Sequence, residues 1–145
     1  MRPFSEREMK IKPLALSVKL VIRDNDGRFL FLKRPDDCDW NPGRWDLPGG
    51  KIKTCEAFDE ALRREAREET GLDVTIQSLL AAVEDETDNF RLVHLIFDGG
   101  KAPGDVKLSD EHNSFSWIHP DDLDADELCL YLNGIFEALN FNAMK

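Results

Sequence analysis

Three glutamates, Glu65, Glu68 and Glu69, stand three and four residues apart, which on a helix places all of them on one side. The surrounding stretch supports a helix. Glu56 to Thr70 contains neither proline nor glycine and is rich in Ala, Leu, Glu and Arg, and Gly71 follows where a helix usually ends. Like charges one turn apart destabilise a helix by about 0.2–0.5 kcal/mol per pair, so the cluster calls for a counter-charge. Arg64 and Arg67 can supply part of it. A divalent cation supplies it more fully, and a hard ion such as Mg²⁺ chooses carboxylate oxygens while keeping several waters. Upstream, Trp45-Asp46-Leu47-Pro48-Gly49 reads as a short strand ending in a glycine turn, where the backbone can approach a ligand closely. A salt-bridged surface helix needs no metal and explains the charge, but it leaves the glycines at both ends unexplained.

The full spacing is Gly50, then Glu56, Arg64-Glu65, Ala66, Arg67, Glu68-Glu69, Thr70, Gly71 and Leu72. It resembles the signature of the Nudix hydrolases, MutT-like enzymes among them. Every fixed position matches, and Ala66 is small for its aliphatic slot. The resemblance covers about residues 15–140 of a chain read as a single domain, 1–145. It implies an α/β fold in which a mixed, curved β-sheet is sandwiched between helices (α/β/α). It also implies a Mg²⁺ site, with Mn²⁺ as the alternative ion, built from Glu65, Glu68, Glu69 and a glycine-turn carbonyl carried to Gly50 or Gly49. Arg64 is expected to pair with a glutamate and orient the loop, and Glu56 to give support. In many relatives a glutamate a few residues before a tryptophan-bearing strand is a further ligand or the general base. Glu111, ahead of Trp117, fits that placement better than Asp110. The base is therefore Glu65 or Glu111. Lys53 and Cys55 depart from the family pattern, which usually has an acidic or small polar residue and a glycine there. Arg34 falls about where MutT-like enzymes carry a phosphate-binding arginine, with Lys33 beside it; the plainer reading of both is a solvated strand end.

The remaining chain supplies the scaffold. Leu14 to Arg23 alternates as a strand, Asn25-Asp26-Gly27 is a hairpin turn, and Arg28 to Arg34 is the returning strand. Pro35 to Arg44 is a loop. Of its flanking tryptophans, Trp40 is free to stack on a base or to join the core, and Trp45 reads as structural. Val74 to Val83, Phe90 to Asp98 and Phe115 to Ile118 read as strands. Glu84 to Asp88 reads as an acidic turn and Gly99 to Leu108 as a flexible loop. His94 reads as packed and His112 as a residue that steadies its loop. A final helix is expected to carry Leu128, Leu130, Leu132, Ile135, Phe136 and Leu139 against the sheet face opposite the acidic helix, with Phe141 ending the packing. Residues 1–13 read as a loose lead-in.

A length of 145 residues suits one sizeable core. The formal charge of −10 argues against binding a nucleic-acid polymer. Cys38, Cys55 and Cys129 are scattered, without a CxxC pair, which argues against a disulfide framework and gives no zinc spacing. No run of 18 apolar residues and no apolar leader occurs, so a cytoplasmic chain with no membrane partner is expected. The expected partner is a small nucleotide, and the state a monomer or homodimer. The resemblance implies water attack on a phosphoanhydride of a nucleoside diphosphate-linked substrate. A nucleoside triphosphate cut to monophosphate and pyrophosphate leads. ADP-ribose or a sugar nucleotide is the alternative, and a silent nucleotide-binding module is the reading from another class.

Overall fold

A computed structural model describes residues 11–102 and 104–139; Phe141 and most of the lead-in lie outside the described residues. The elements are β1 (Leu14–Arg23), β2 (Phe29–Lys33), β3 (Trp45–Asp46), β4 (Gly49–Lys51), α1 (Phe58–Thr70), β5 (Leu79–Glu86), β6 (Arg91–Lys101), β7 (Ser114–Ile118) and a one-turn α2 (Ile135–Ala138). The sheet is mixed. Its main path runs β3-β2-β1-β6-β5, with β4 on β1 and β7 on β2. β1 lies at the centre. It pairs parallel with β6 from Leu14↔Arg91 onward and antiparallel with β4 at Val18↔Gly50.

Strand alternation divides the core in two. Val18, Leu20 and Ile22 point to α1, where Ala61, Leu62 and Ala66 are buried. Burying one leucine of the size of Leu62 contributes about 1.5–3 kcal/mol. The opposite face takes Val21, Phe29, Phe31 and Ile96, covered by Leu128, Tyr131, Leu132 and Phe136. The sheet is thus flanked on both faces, the α/β/α layering expected from the sequence.

Several boundaries move. Helix α1 starts at Phe58 rather than Glu56, with Ala57 as its exposed N-cap. The strand expected over Val74 to Val83 begins at Leu79 and runs through Glu84, Asp85 and Glu86, the run read as a turn. β5 stands at the end of the sheet path, and an edge strand tolerates charge. The turn falls at Thr87, whose N–H donates to the Phe90 carbonyl (2.8 Å). β6 continues through Gly99 and Gly100 instead of loosening there. The long final helix is replaced by three 3₁₀ turns, Pro120–Asp122, Ala125–Glu127 and Leu130–Leu132, before α2. Leu128, Leu130 and Leu132 are two apart, not three or four, and Gly134 sits at φ 80°, which breaks any helix before Ile135. Among the described residues no helix is long and apolar enough to cross a membrane.

Candidate active site

Helix α1 presents the three glutamates on one side at three depths. The Glu68 side chain is more than half exposed, Glu65 is mostly covered, and Glu69 is only 3 % exposed. This face is pressed against the turn between Pro48 and Lys51. The Gly49 N–H donates to Glu69 Oε1 (2.9 Å). At Gly50 a Cβ would come within 2.7 Å of Glu65 Oε1, so only glycine lets that carboxylate lie against β4. At Gly49 φ is 145° and a Cβ would run into the Val18 carbonyl. Gly49 is therefore required by its positive φ and its close approach to the β1 backbone, whereas a larger residue at Gly50 would displace the Glu65 carboxylate.

Arg64 gathers the other carboxylates. Nε and Nη2 donate to the two Glu56 oxygens (2.7 and 3.0 Å), and Nη1 donates to Glu65 Oε1 (2.9 Å) and Glu68 Oε2 (3.1 Å). The hydrogen bonds from Arg64 hold Glu56 down to a pKa of about 2. Arg67, read as a second counter-charge, goes instead to Asp73 at 2.9 Å. Glu69 has no such cation bound to it: among the described residues its contacts are the Gly49 N–H and His112 Nδ1, the latter 3.5 Å from Oε2. Burial pushes Glu69 up to about 9, opposed by Lys19 and the Gly49 bond and reinforced by Glu65 and Asp46.

The loop before β7 brings Glu111 and His112 to Glu69. One ligand atom from each lies within 4.8 Å of the others. Asp110 is outside this group. His112 is held neutral by burial, its pKa lowered to about 4. A cation fits here: the donors are hard carboxylates, one of them, Glu69, buried with no counter-charge bonded to it among the described residues, beside a glycine turn where a Cβ at Gly50 would meet Glu65.

A cleft of about 860 Å³ opens from Gly49 and Gly50 across the sheet face opposite α1, past Arg34, Trp40 and Lys51 to Phe90. Arg34 Nε donates to the Trp40 carbonyl (2.7 Å), and its guanidinium carbon lies 4.6 Å from the centre of the Trp40 ring. Arg34 Nη1 is 3.6 Å from Asp46 Oδ2. Lys33 does not line the cleft. Neighbouring positions on an extended chain point to opposite sides, and its ammonium lies over Trp45 instead, 5.7 Å from the ring centre. Trp40 stacks on Tyr131, so its ring is both a cleft wall and part of the packing.

Sequence reasoning missed what lies beneath this cleft. Asp46, 1 % exposed, accepts from Lys19 Nζ (3.0 Å) and from the Tyr131 hydroxyl. Burial raises its pKa, but Lys19, Tyr131 and Arg34 together bring it below the usual carboxylate value. His94 lines the cleft, stacks on Tyr131 at 4.1 Å and meets Asp85 Oδ2 through Nε2 (3.3 Å). Lys19 left a trace in the sequence, a lysine in an apolar strand, but on a half-exposed strand the same residue would be solvated. Of the free thiols, Cys38 donates to the same Trp40 carbonyl that Arg34 holds (3.2 Å), Cys129 is buried with its pKa pushed up by desolvation, and Cys55 is exposed.

Comparison with known proteins agrees with this arrangement. The NUDIX domain family matches residues 13–137. The nucleoside triphosphatase NudI of Escherichia coli O81 (strain ED1a) is 34 % identical over 110 residues, spanning 68 % of this chain and 78 % of that protein. The crystal structure of a MutT protein from Methanosarcina mazei Go1 superposes with a TM-score of 0.82 at 36 % identity, covering 91 % of this chain and 95 % of that one. A MutT NUDIX hydrolase from Burkholderia pseudomallei gives a TM-score of 0.70 at 27 % identity, covering 78 % and 88 %. The chain belongs to the Nudix hydrolases. With that membership goes the coarse chemistry, hydrolysis of a nucleotide phosphoanhydride.

Proposed function

We propose that the protein is a Mg²⁺-dependent pyrophosphohydrolase that cuts a nucleoside triphosphate to the monophosphate and pyrophosphate. The observation that carries this reading is Glu69, a buried carboxyl with no cation bound to it among the described residues, grouped with Glu111 and bonded to the Gly49 N–H of the glycine turn that also lines the cleft. The similarity to relatives described as a nucleoside triphosphatase and a MutT protein supports the triphosphate.

In this reading Glu65, Glu68, Glu69, Glu111 and the Gly50 carbonyl hold the ion. An ion held there, Mg²⁺ or Mn²⁺, would supply charge compensation at the phosphates and a lowered pKa for water. The protein's own groups do the rest. Arg34 turns its guanidinium to the phosphates while Trp40 and Asp46 hold it, and Trp40 gives the base an aromatic wall. Arg64 fixes Glu65 and Glu68 relative to the turn through its grip on Glu56. The proton of the attacking water goes to Glu111 or Glu65. Glu111 is favoured, because Glu65 is already bonded to Arg64 whereas among the described residues no cation pairs with Glu111. Replacing the base, E111Q, should then remove the ascending limb of the pH–rate profile; if only E65Q does so, Glu65 is the base.

The test is a panel of canonical and 8-oxo nucleoside triphosphates, ADP-ribose, sugar nucleotides and dinucleoside polyphosphates with Mg²⁺, products being separated and weighed. Monophosphate plus pyrophosphate from a triphosphate is the expected outcome. Preference for ADP-ribose or a sugar nucleotide would overturn the substrate. Inertness with both Mg²⁺ and Mn²⁺ would leave a binding module.

A further inference from the structure

Three buried side-chain nitrogens find no hydrogen-bond partner among the described residues: Arg23 Nε, His94 Nδ1 and His112 Nδ1. Two of these side chains are anchored through another atom, Arg23 by Nη2 to Asp98 (3.2 Å) and His94 by Nε2 to Asp85 (3.3 Å). His112 is not. Its side chain is 6 % exposed. Burying an imidazole nitrogen with its lone pair or proton unmet is unfavourable, so a partner of some kind is implied. The Glu69 carboxyl comes to 3.5 Å through Oε2, without hydrogen-bond geometry. The spacing suits two groups that share a third partner better than two that bond each other, and Glu111 closes the same cluster from the adjoining residue.

We propose that His112 contributes its Nδ1 as a nitrogen ligand to the divalent cation held at Glu69 and Glu111. This deepens the carboxylate-site reading above and rests on it. The consequence is ion selectivity. An all-oxygen set suits Mg²⁺. An imidazole nitrogen adds affinity for first-row transition ions, so the site discriminates in favour of Mn²⁺ more than its glutamates alone would.

The experiment uses Mn²⁺ as the probe on the full chain, by pulsed electron paramagnetic resonance. Wild-type protein should show ¹⁴N modulation of the imidazole kind, converted to the ¹⁵N pattern by labelling histidine. H112Q should abolish the modulation. It should also weaken Mn²⁺ binding by about tenfold or more, with a smaller loss for competing Mg²⁺. The wild-type spectrum needs no variant to fold, and H112N gives a second side chain of different length. Mn²⁺ that binds without nitrogen modulation, or modulation that survives H112Q, overturns the proposal while leaving the carboxylate site intact. Mn²⁺ binding that is absent, or indifferent to E69Q, overturns the carboxylate site itself.

Discussion

Two buried carboxylates, Asp46 and Glu69, sit on either side of the Leu47–Gly49 turn, and they are treated in opposite ways. Asp46 is surrounded by Lys19, the Tyr131 hydroxyl and Arg34, and its pKa lies below the ordinary value even though burial alone would raise it. Glu69, nearly as buried, receives one backbone N–H, and its pKa is pushed up to about 9. The first is a closed ionic network that ties β1, β3 and the C-terminal segment together under the cleft. The second is a carboxyl buried with no counter-charge bonded to it among the described residues, the group that the proposed ion would meet. A fold that satisfies one carboxylate so fully and its neighbour so little separates scaffold from site.

The largest expected effect follows from Glu69. E69Q should lower kcat by about a thousandfold or more in a steady-state pyrophosphate-release assay, and it should raise the stability of the metal-free protein at pH 8. The sign follows from linkage: a carboxyl whose folded value, about 9, exceeds its unfolded value, 4.5, favours the folded chain fully below 4.5, and that contribution is lost as pH rises through 9. Thermal melts in chelator from pH 6 to 9 should therefore fall for wild type and stay flatter for E69Q. Parallel curves would erase the contrast with Asp46.

Asp46 should behave in reverse. D46N leaves Lys19 buried without its counter-ion and should cost about 3–5 kcal/mol in denaturant unfolding, at every pH between 6 and 8 and with or without metal. A loss that appears only with Mg²⁺ present would move Asp46 from scaffold to site.

Arg34 touches both regions. R34Q should raise KM for the triphosphate by about tenfold while kcat changes less, because phosphate binding is weakened before chemistry. An unchanged KM would confine Arg34 to packing on Trp40.

The smallest effect tests the turn that delivers α1. Cys55 sits at φ 65°, a conformation costing a residue with a Cβ about 1 kcal/mol. C55G should therefore stabilise by about that amount in denaturant melts and leave the turnover unchanged.

That last position shows how far the sequence could be read. Cys55 stood out because a glycine is usual there in the family, and the left-handed backbone supplies the reason. The Gly50–Gly71 stretch was legible because its spacing is local: one helix and one turn carry Gly50, Glu65, Glu68 and Glu69. Glu111 was legible only through its distance from Trp117. Lys19, Asp46 and Tyr131 were not, since their meeting depends on three distant segments sharing one sheet face. The C-terminal region was misread as a helix because its leucines were counted as apolar content rather than by period. Lys33 and Arg34 could not be separated before the strand end fixed which of them faces the cleft.

The central claim is that Glu69 is kept for a cation. Calorimetric titration of the metal-free wild type with Mg²⁺ at pH 7, in buffers of different ionisation enthalpy, tests it directly. A carboxyl with a pKa of about 9 must lose its proton to become a ligand, and His112, already neutral, has none to give. Release of about one proton per ion bound is the expected result. Mg²⁺ binding with no proton released would contradict the account.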